Sequence, residues 1–146
     1  MLQAEDQYMK MALHQAQLAF DKNEVPIGAI VIDALGNILG KGHNQSKQLN
    51  DPTAHAEMLA ITAAMNTQGS PYLNDCSIYV TVEPCAMCAG ALRWAKISKL
   101  IYGASESKVG YSLYQPSILH PSTQVKSALL NNECAELMQS FFKKLR

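Results

Sequence analysis

Apolar positions along the chain change period several times, and each change marks an element. From Glu5 to about Lys22 there is no Gly or Pro, and Tyr8, Met11, Ala12, Gln15, Leu18 and Ala19 recur at helical spacing with most of the apolar set on one face. Asn23 and Pro26 end this predicted helix, since the residue before a proline is pushed out of the α region. Ile27-Gly28-Ala29-Ile30-Val31-Ile32 is short, β-branched and apolar throughout, the pattern of a buried strand. A turn at Ala34–Asn37 and a second strand from Ile38 to Gly42 complete a predicted hairpin. The segment from His43 to Thr53 is polar and irregular, and Asp51-Pro52-Thr53 reads as a helix N-terminus before an Ala-rich helix from Ala54 to Met65. Ser77–Val82 is the strongest strand pattern, Pro84 opens a helix that runs to about Ala95, and Lys99–Gly103 is a further short strand. A weak strand at Gln124–Lys126 precedes a last helix from about Asn132 to Leu145. Residues 104–123, with Pro116 and Pro121, form a loop too long for a plain connection, and such loops commonly carry function. Strands alternating with helices predict an α/β fold with helices on the faces of a sheet.

Composition narrows the class. The 146 residues, 48% of them hydrophobic, suit one packed domain spanning 1–146 and exclude disorder. Twelve basic residues balance twelve acidic ones, so the chain is not a generic polycation that coats nucleic acid. The acidic N-terminus lacks an apolar signal-peptide core, and the longest apolar stretch falls far short of the ~20 residues that span a bilayer; a soluble, cytoplasmic protein is the expectation. The neutral sum conceals a gradient: Arg93, Lys96, Lys99 and Lys108 oppose Glu106 alone, and the tail adds Lys143, Lys144 and Arg146. Clustered basic residues are what phosphate contacts require, although two arginines in the whole chain are few for that task.

Candidate chemistry sits in two short runs, His55-Ala56-Glu57 and Pro84-Cys85-Ala86-Met87-Cys88, each at a predicted helix start. Thiols three residues apart on a first helical turn face one side, and a helix N-terminus favours the thiolate. Two thiolates and one imidazole suit Zn²⁺, and three protein ligands leave one tetrahedral position for a water whose pKa would fall toward ~7. Glu57, two positions from His55, can sit beside such a water as general base and then general acid. A Cys-x-x-Cys is also read as a redox pair or as half of a closed structural zinc site. A redox dithiol needs no His-x-Glu. A closed site needs a fourth ligand from Cys76, Cys134, His14, His43 or His120, and of these both cysteines read as buried apolar side chains.

His-x-Glu followed by Pro-Cys-x-x-Cys is the signature of zinc nucleobase deaminases. The chain resembles the cytidine-deaminase superfamily and, more narrowly, bacterial tRNA-specific adenosine deaminases. The narrower resemblance rests on Glu24–Ala29, Asp51–Glu57, Tyr79–Ala91 and the tail from Glu133 to Phe142, motifs spread along nearly the whole chain. It implies a three-layer α/β/α fold around a central five-stranded mixed sheet, and a homodimer whose RNA site spans the interface. It implies hydrolytic conversion of adenosine to inosine at the wobble position of a tRNA anticodon, with zinc hydroxide attacking C6 of a flipped-out adenine. His55, Cys85 and Cys88 would bind one zinc per subunit, Glu57 would shuttle the proton, and Asn44 would hydrogen-bond the base, with Ala56 and Pro84 against it.

One stretch departs from the family pattern. Gly110–Gln115 carries Tyr111 and Tyr114 in a Pro-bounded extension. These rings either stack on flanking bases, at ~1–3 kcal/mol per base, or pack the loop onto the body. Lys108, Lys143 and Lys144 are the candidate phosphate contacts, and Trp94 is expected to pack beneath the metal-site helix. A free nucleobase or nucleoside deaminase of guanine or cytosine type is the alternative enzyme, and a non-catalytic zinc module with a fourth ligand is the alternative class.

Overall fold

Glycine and alanine spacing explains how the helices meet the sheet. The computed structural model describes residues 2–145; Arg146, counted in the basic tail, lies outside the described residues. In chain order the elements are α1 (Leu2–Asp21), β1 (Gly28–Ile32), β2 (Ile38–His43), α2 (Ala56–Gln68), β3 (Ser77–Val82), α3 (Ala86–Ala95), β4 (Lys99–Ala104), β5 (Gln124–Lys126) and α4 (Asn131–Lys144), with a single 3₁₀ turn at Tyr111–Leu113 before β5. The five strands form one mixed sheet in the order β2-β1-β3-β4-β5. β1 is antiparallel to both β2 and β3, while β3, β4 and β5 run parallel. This is the three-layer cytidine-deaminase-like arrangement that the resemblance implies.

Strand side chains alternate between two apolar layers, as the pleat requires. Ala29 and Val31 of β1, Ile78 and Val80 of β3, and Leu100 and Tyr102 of β4 join Ala60, Ile61, Ala89 and Leu92 of α2 and α3 in one core. Ile30, Ile32, Tyr79 and Ile101 face the other way, onto Met9 and Ala12 of α1 and Cys134 of α4. Among the described residues no helix is long and apolar enough to cross a membrane.

α2 lies unusually close to β2, and the sequence is written for it. Ala56, Ala60 and Ala64 recur every four residues along one helix face and are wholly buried. Opposite them, a Cβ on Gly40 or Gly42 would run into the helix backbone at Ala60 and Ala56. Small residues on both partners let the helix seat directly on the strand, which fixes where its first residues point.

The helix starts differ from the sequence expectation in an informative way. Asp51-Pro52-Thr53 does not open α2. The Asp51 carboxylate is taken locally, accepting the Thr53 amide at 2.8 Å and hydroxyl at 2.7 Å, and these bonds hold its carboxyl below the usual range. Two tight turns follow, with the Ala54 amide donating to Asp51 and the His55 amide to Thr53. The helix therefore begins at Ala56 with His55 as its N-cap, and α3 likewise begins at Ala86 with Cys85 as N-cap rather than at Pro84. Trp94 is a second correction: it does not pack under α3 but is 82% exposed, because the buried face of α3 is Cys88, Ala89, Leu92 and Ala95.

Candidate metal centre and base pocket

An N-cap residue ordinarily turns a side-chain oxygen back onto its own helix. His55 and Cys85 have no such oxygen, and neither side chain caps its helix. Both extended N-caps instead project toward each other across the gap between α2 and α3. His55 Nδ1 stands 3.6 Å from Cys85 Sγ and 3.5 Å from Cys88 Sγ, and the three donor atoms all lie within 4.8 Å of one another. A tetrahedral centre with metal–sulfur bonds of ~2.3 Å and metal–nitrogen bonds of ~2.0–2.1 Å separates sulfur from nitrogen by ~3.6 Å. The spacing and donor chemistry both fit a metal of the zinc type. Among the described residues no fourth His, Cys, Asp or Glu joins this group, so a closed four-residue site is not formed.

The three donors are tied to one another by hydrogen bonds, which shift them in opposite directions. The Cys88 thiol donates to Cys85, and with His55 this holds the Cys85 thiol down at about 4. Cys88 is correspondingly pushed up, by that donation first and by burial next. His55 is raised by its bond to Cys85. Glu57, in the first turn of α2, is 3% exposed; burial above all lifts its carboxyl to about 7. Its Oε1 is buried without a hydrogen-bond partner. A carboxyl poised near neutrality, beside two sulfurs and an imidazole, can both accept and release a proton.

The cluster borders a cavity of about 310 Å³ lined by His55 and Ala56, by Val25, Ile27, Asn44 and Ser46, by Glu106 and Val109, and by Met138 and Phe142 of α4. That volume is at the lower end of the ~300–1,000 Å³ usual for ligand sites and suits a single base rather than a duplex. Asn44 is buried, and the Ser46 hydroxyl donates to its Oδ1 at 3.0 Å. Ala56 lines the cavity. Pro84, the other residue expected against the base, is buried, and its carbonyl accepts the Tyr111 amide at 2.9 Å.

The candidate RNA-contact residues separate into two groups. Tyr111 is not available to stack on a base: it is 7% exposed, with its ring edge-on to Tyr102 at 6.4 Å, because the loop closes over it. Tyr114 is half exposed, and Lys108 and Lys143 are exposed. Lys144 lies over the Phe20 ring at 4.3 Å. Within the basic stretch, Arg93 is used internally, donating to the carbonyls of Ile118 and Leu119.

Two buried carboxylates had no role in the sequence reading. Glu24, 2% exposed, accepts the amides of Lys47 at 3.2 Å and Gln48 at 2.7 Å and so fixes the loop that bears Asn44 and Ser46. Glu83, 5% exposed, holds the loop on the other side of the cavity. Each directly adjoins an apolar segment, and an acid in that position is a sequence signal for a buried, hydrogen-bonded carboxylate.

A five-stranded mixed sheet with a His–Cys–Cys donor group at two helix starts, and a buried acid beside it, is the arrangement of a hydrolytic deaminase with a candidate metal centre. The comparisons agree: the family model for MafB19-like deaminases matches residues 3–146, and the chain belongs to that family. Over 143 residues it is 45% identical to a tRNA-specific adenosine deaminase of Aquifex aeolicus, covering 95% of this chain and 94% of that protein. It is 42% identical over 144 residues to one from Rickettsia felis, covering 94% of this chain and all of the relative. A solved structure from a study of A-to-I editing by tRNA:A34 deaminases at the wobble position of transfer RNA superposes with a TM-score of 0.84 at 38% identity, covering 90% of this chain and 98% of that one.

Proposed function

We propose that this protein is a single-domain, zinc-dependent deaminase that converts adenosine to inosine at the wobble position of tRNA anticodons. The observation that carries the chemistry is the three-donor group of His55, Cys85 and Cys88 with Glu57 buried alongside. The substrate class is supported by relatives of that activity matching nearly end to end.

His55 Nδ1 and the two sulfurs would hold the ion. Zinc, when bound, supplies the Lewis acidity that makes a water acidic near neutrality. The rest of the reaction belongs to the chain. The adenine must leave the stack to enter the cavity, where Asn44 offers both donor and acceptor to a base edge and Ala56 gives a flat apolar wall. Glu57 takes a proton from the water and passes it to N1 as the oxygen bonds to C6 and the C6–N1 double bond opens. It then carries the remaining hydroxyl proton to the amino nitrogen as the bond from C6 to that nitrogen breaks, leaving inosine, with its C6 carbonyl and N1–H, and ammonia. Its raised carboxyl pKa suits both halves of that transfer.

RNA would be held by Lys108, Lys143 and Lys144, with Tyr114 stacking on a flanking base. The protein works in this reading as a cytoplasmic homodimer. Support for the dimer comes from α3, whose outer stripe is apolar: Met87 is 37% and Trp94 82% exposed, with Gly90 and Ala91 between them.

The test is incubation with an anticodon hairpin carrying adenosine at the wobble position, in parallel with free guanine, cytosine and adenosine. Inosine in the hairpin is the expected result. Ammonia from guanine or cytosine, with none from the hairpin, replaces this reading with a free-base deaminase.

A further inference from the structure

Glu83 lies between the end of β3 and the proline that precedes Cys85, and its own amide donates to Ala104 at 2.8 Å. The carboxylate gathers three donors from one loop: Oε1 accepts the Glu106 amide at 3.0 Å, while Oε2 accepts the Ser112 amide at 3.0 Å and the Ser112 hydroxyl at 2.6 Å. The segment between these donors makes a helical turn, with the Gly110 amide donating to Glu106 at 3.1 Å. Gly110 passes so close that a Cβ there would stand 2.5 Å from Glu83 Oε2, so only glycine fits. The loop is also stitched to the metal-site helix by a bridge between Gly110 and Cys85 and by the Tyr111 amide on Pro84.

Glu106 and Val109 of this loop form one wall of the cavity, and Glu83 itself does not reach it. Among the described residues Glu83 has no Lys, Arg or His ion-pair partner, so its charge is balanced by the loop's N–H and O–H groups alone. A carboxylate places an acceptor at both oxygens, which is what these three donors meet. An amide would turn a donor onto a donor.

We propose that Glu83 is a positioning residue: it fixes the loop 105–112 against the metal-site helix and thereby sets the wall that holds the substrate base. The proposal rests on the deaminase reading for its substrate, while the fastening of the loop is measurable without one.

The experiment takes Glu83→Gln, Ser112→Ala and the double variant of the zinc-loaded protein through three readouts. Amide hydrogen exchange should accelerate at Glu106 and Ser112 in Glu83→Gln by about tenfold or more, the scale of one lost charge-assisted hydrogen bond. The KM for the hairpin should rise by about tenfold, with zinc content unchanged and kcat within about threefold, since the loop binds substrate and does not carry the reacting groups. Ser112→Ala should shift both quantities the same way by less, and should add little in the Glu83→Gln background because the two act through one contact. Unchanged exchange at Glu106 and Ser112, or zinc loss with KM retained, overturns the assignment. If Glu83→Gln does not fold, Ser112→Ala decides by the same criteria. If the unaltered protein leaves the hairpin untouched, the substrate reading fails, and the KM comparison is made with the free base it does deaminate.

Discussion

Cys85 and His55 show how much depends on a single side chain's neighbours. Cys85 is held at about 4 by Cys88 and His55, whereas burial raises Cys76 and pushes Cys134 up to about 12. In metal-stripped protein near neutral pH, iodoacetamide should therefore label Cys85 well ahead of Cys76 and Cys134, and added zinc should suppress that labelling. Peptide mapping checks this; equal labelling of all four cysteines would contradict the pairing of the two sulfurs. His43 gives a stability effect with a definite sign. Burial first, then Lys22, lowers its pKa from 6.5, against a smaller opposite pull from Glu24, and its Nε2 is buried without a partner. The unfolded chain takes up this proton more readily than the folded one. The stability it contributes is thus complete above the ordinary value and is lost as pH falls through about 6.5 toward the depressed pKa. The urea midpoint should drop between pH 7 and pH 5, and drop less in His43→Gln; an equal drop in both would assign the acid sensitivity elsewhere.

Among the elements, α2 is the one whose seating decides the site. Its Ala face meets Gly40 and Gly42 with no room for a methyl group. Gly42→Ala should push the start of α2 off β2, at a cost of about 1–3 kcal/mol in urea unfolding, and should weaken zinc binding because His55 sits at the N-cap position of that helix. A stable variant with wild-type zinc affinity would show that the close approach is not what aims His55. Much of this level was legible in the sequence. Period changes located the strands, and β1, β3 and β5 begin and end within a residue of expectation. The starts of α2 and α3 were not legible, because Asp51 satisfies its carboxylate within its own turn and gives no local sign that the helix waits until Ala56. The outward turn of Trp94 was equally hidden. α3 is apolar on two faces, Met87–Trp94 and Cys88–Ala95, and periodicity alone cannot say which one the sheet will cover.

For the molecule as a whole, the donor group was readable from residue types and spacing, while the cavity around it was not. Its walls come from the ends of β1 and β2, from a loop after β4, and from α4, segments brought together by the fold. Glu24 and Glu83 belong to motifs visible in the sequence, but their work is on amides 23 or more residues away, which no local pattern reports. Two consequences concern the entire chain. Ligation couples metal to folding, so Cys85→Ala should lose zinc and also lower the melting temperature, a loss that excess zinc does not restore. If the substrate is RNA held through lysines, kcat/KM on the hairpin should fall steeply as salt rises. A flat salt profile would argue for a free base.

The most decisive measurement is the zinc-normalised deamination rate of Glu57→Gln. Glu57 is not one of the three metal donors, and glutamine preserves its shape. The variant should carry one zinc per chain and lose at least the 10²–10⁴-fold in rate that general acid–base catalysis contributes. A zinc-replete Glu57→Gln protein turning over at the wild-type rate would contradict the role given to the buried acid, and with it the mechanism built on this cluster.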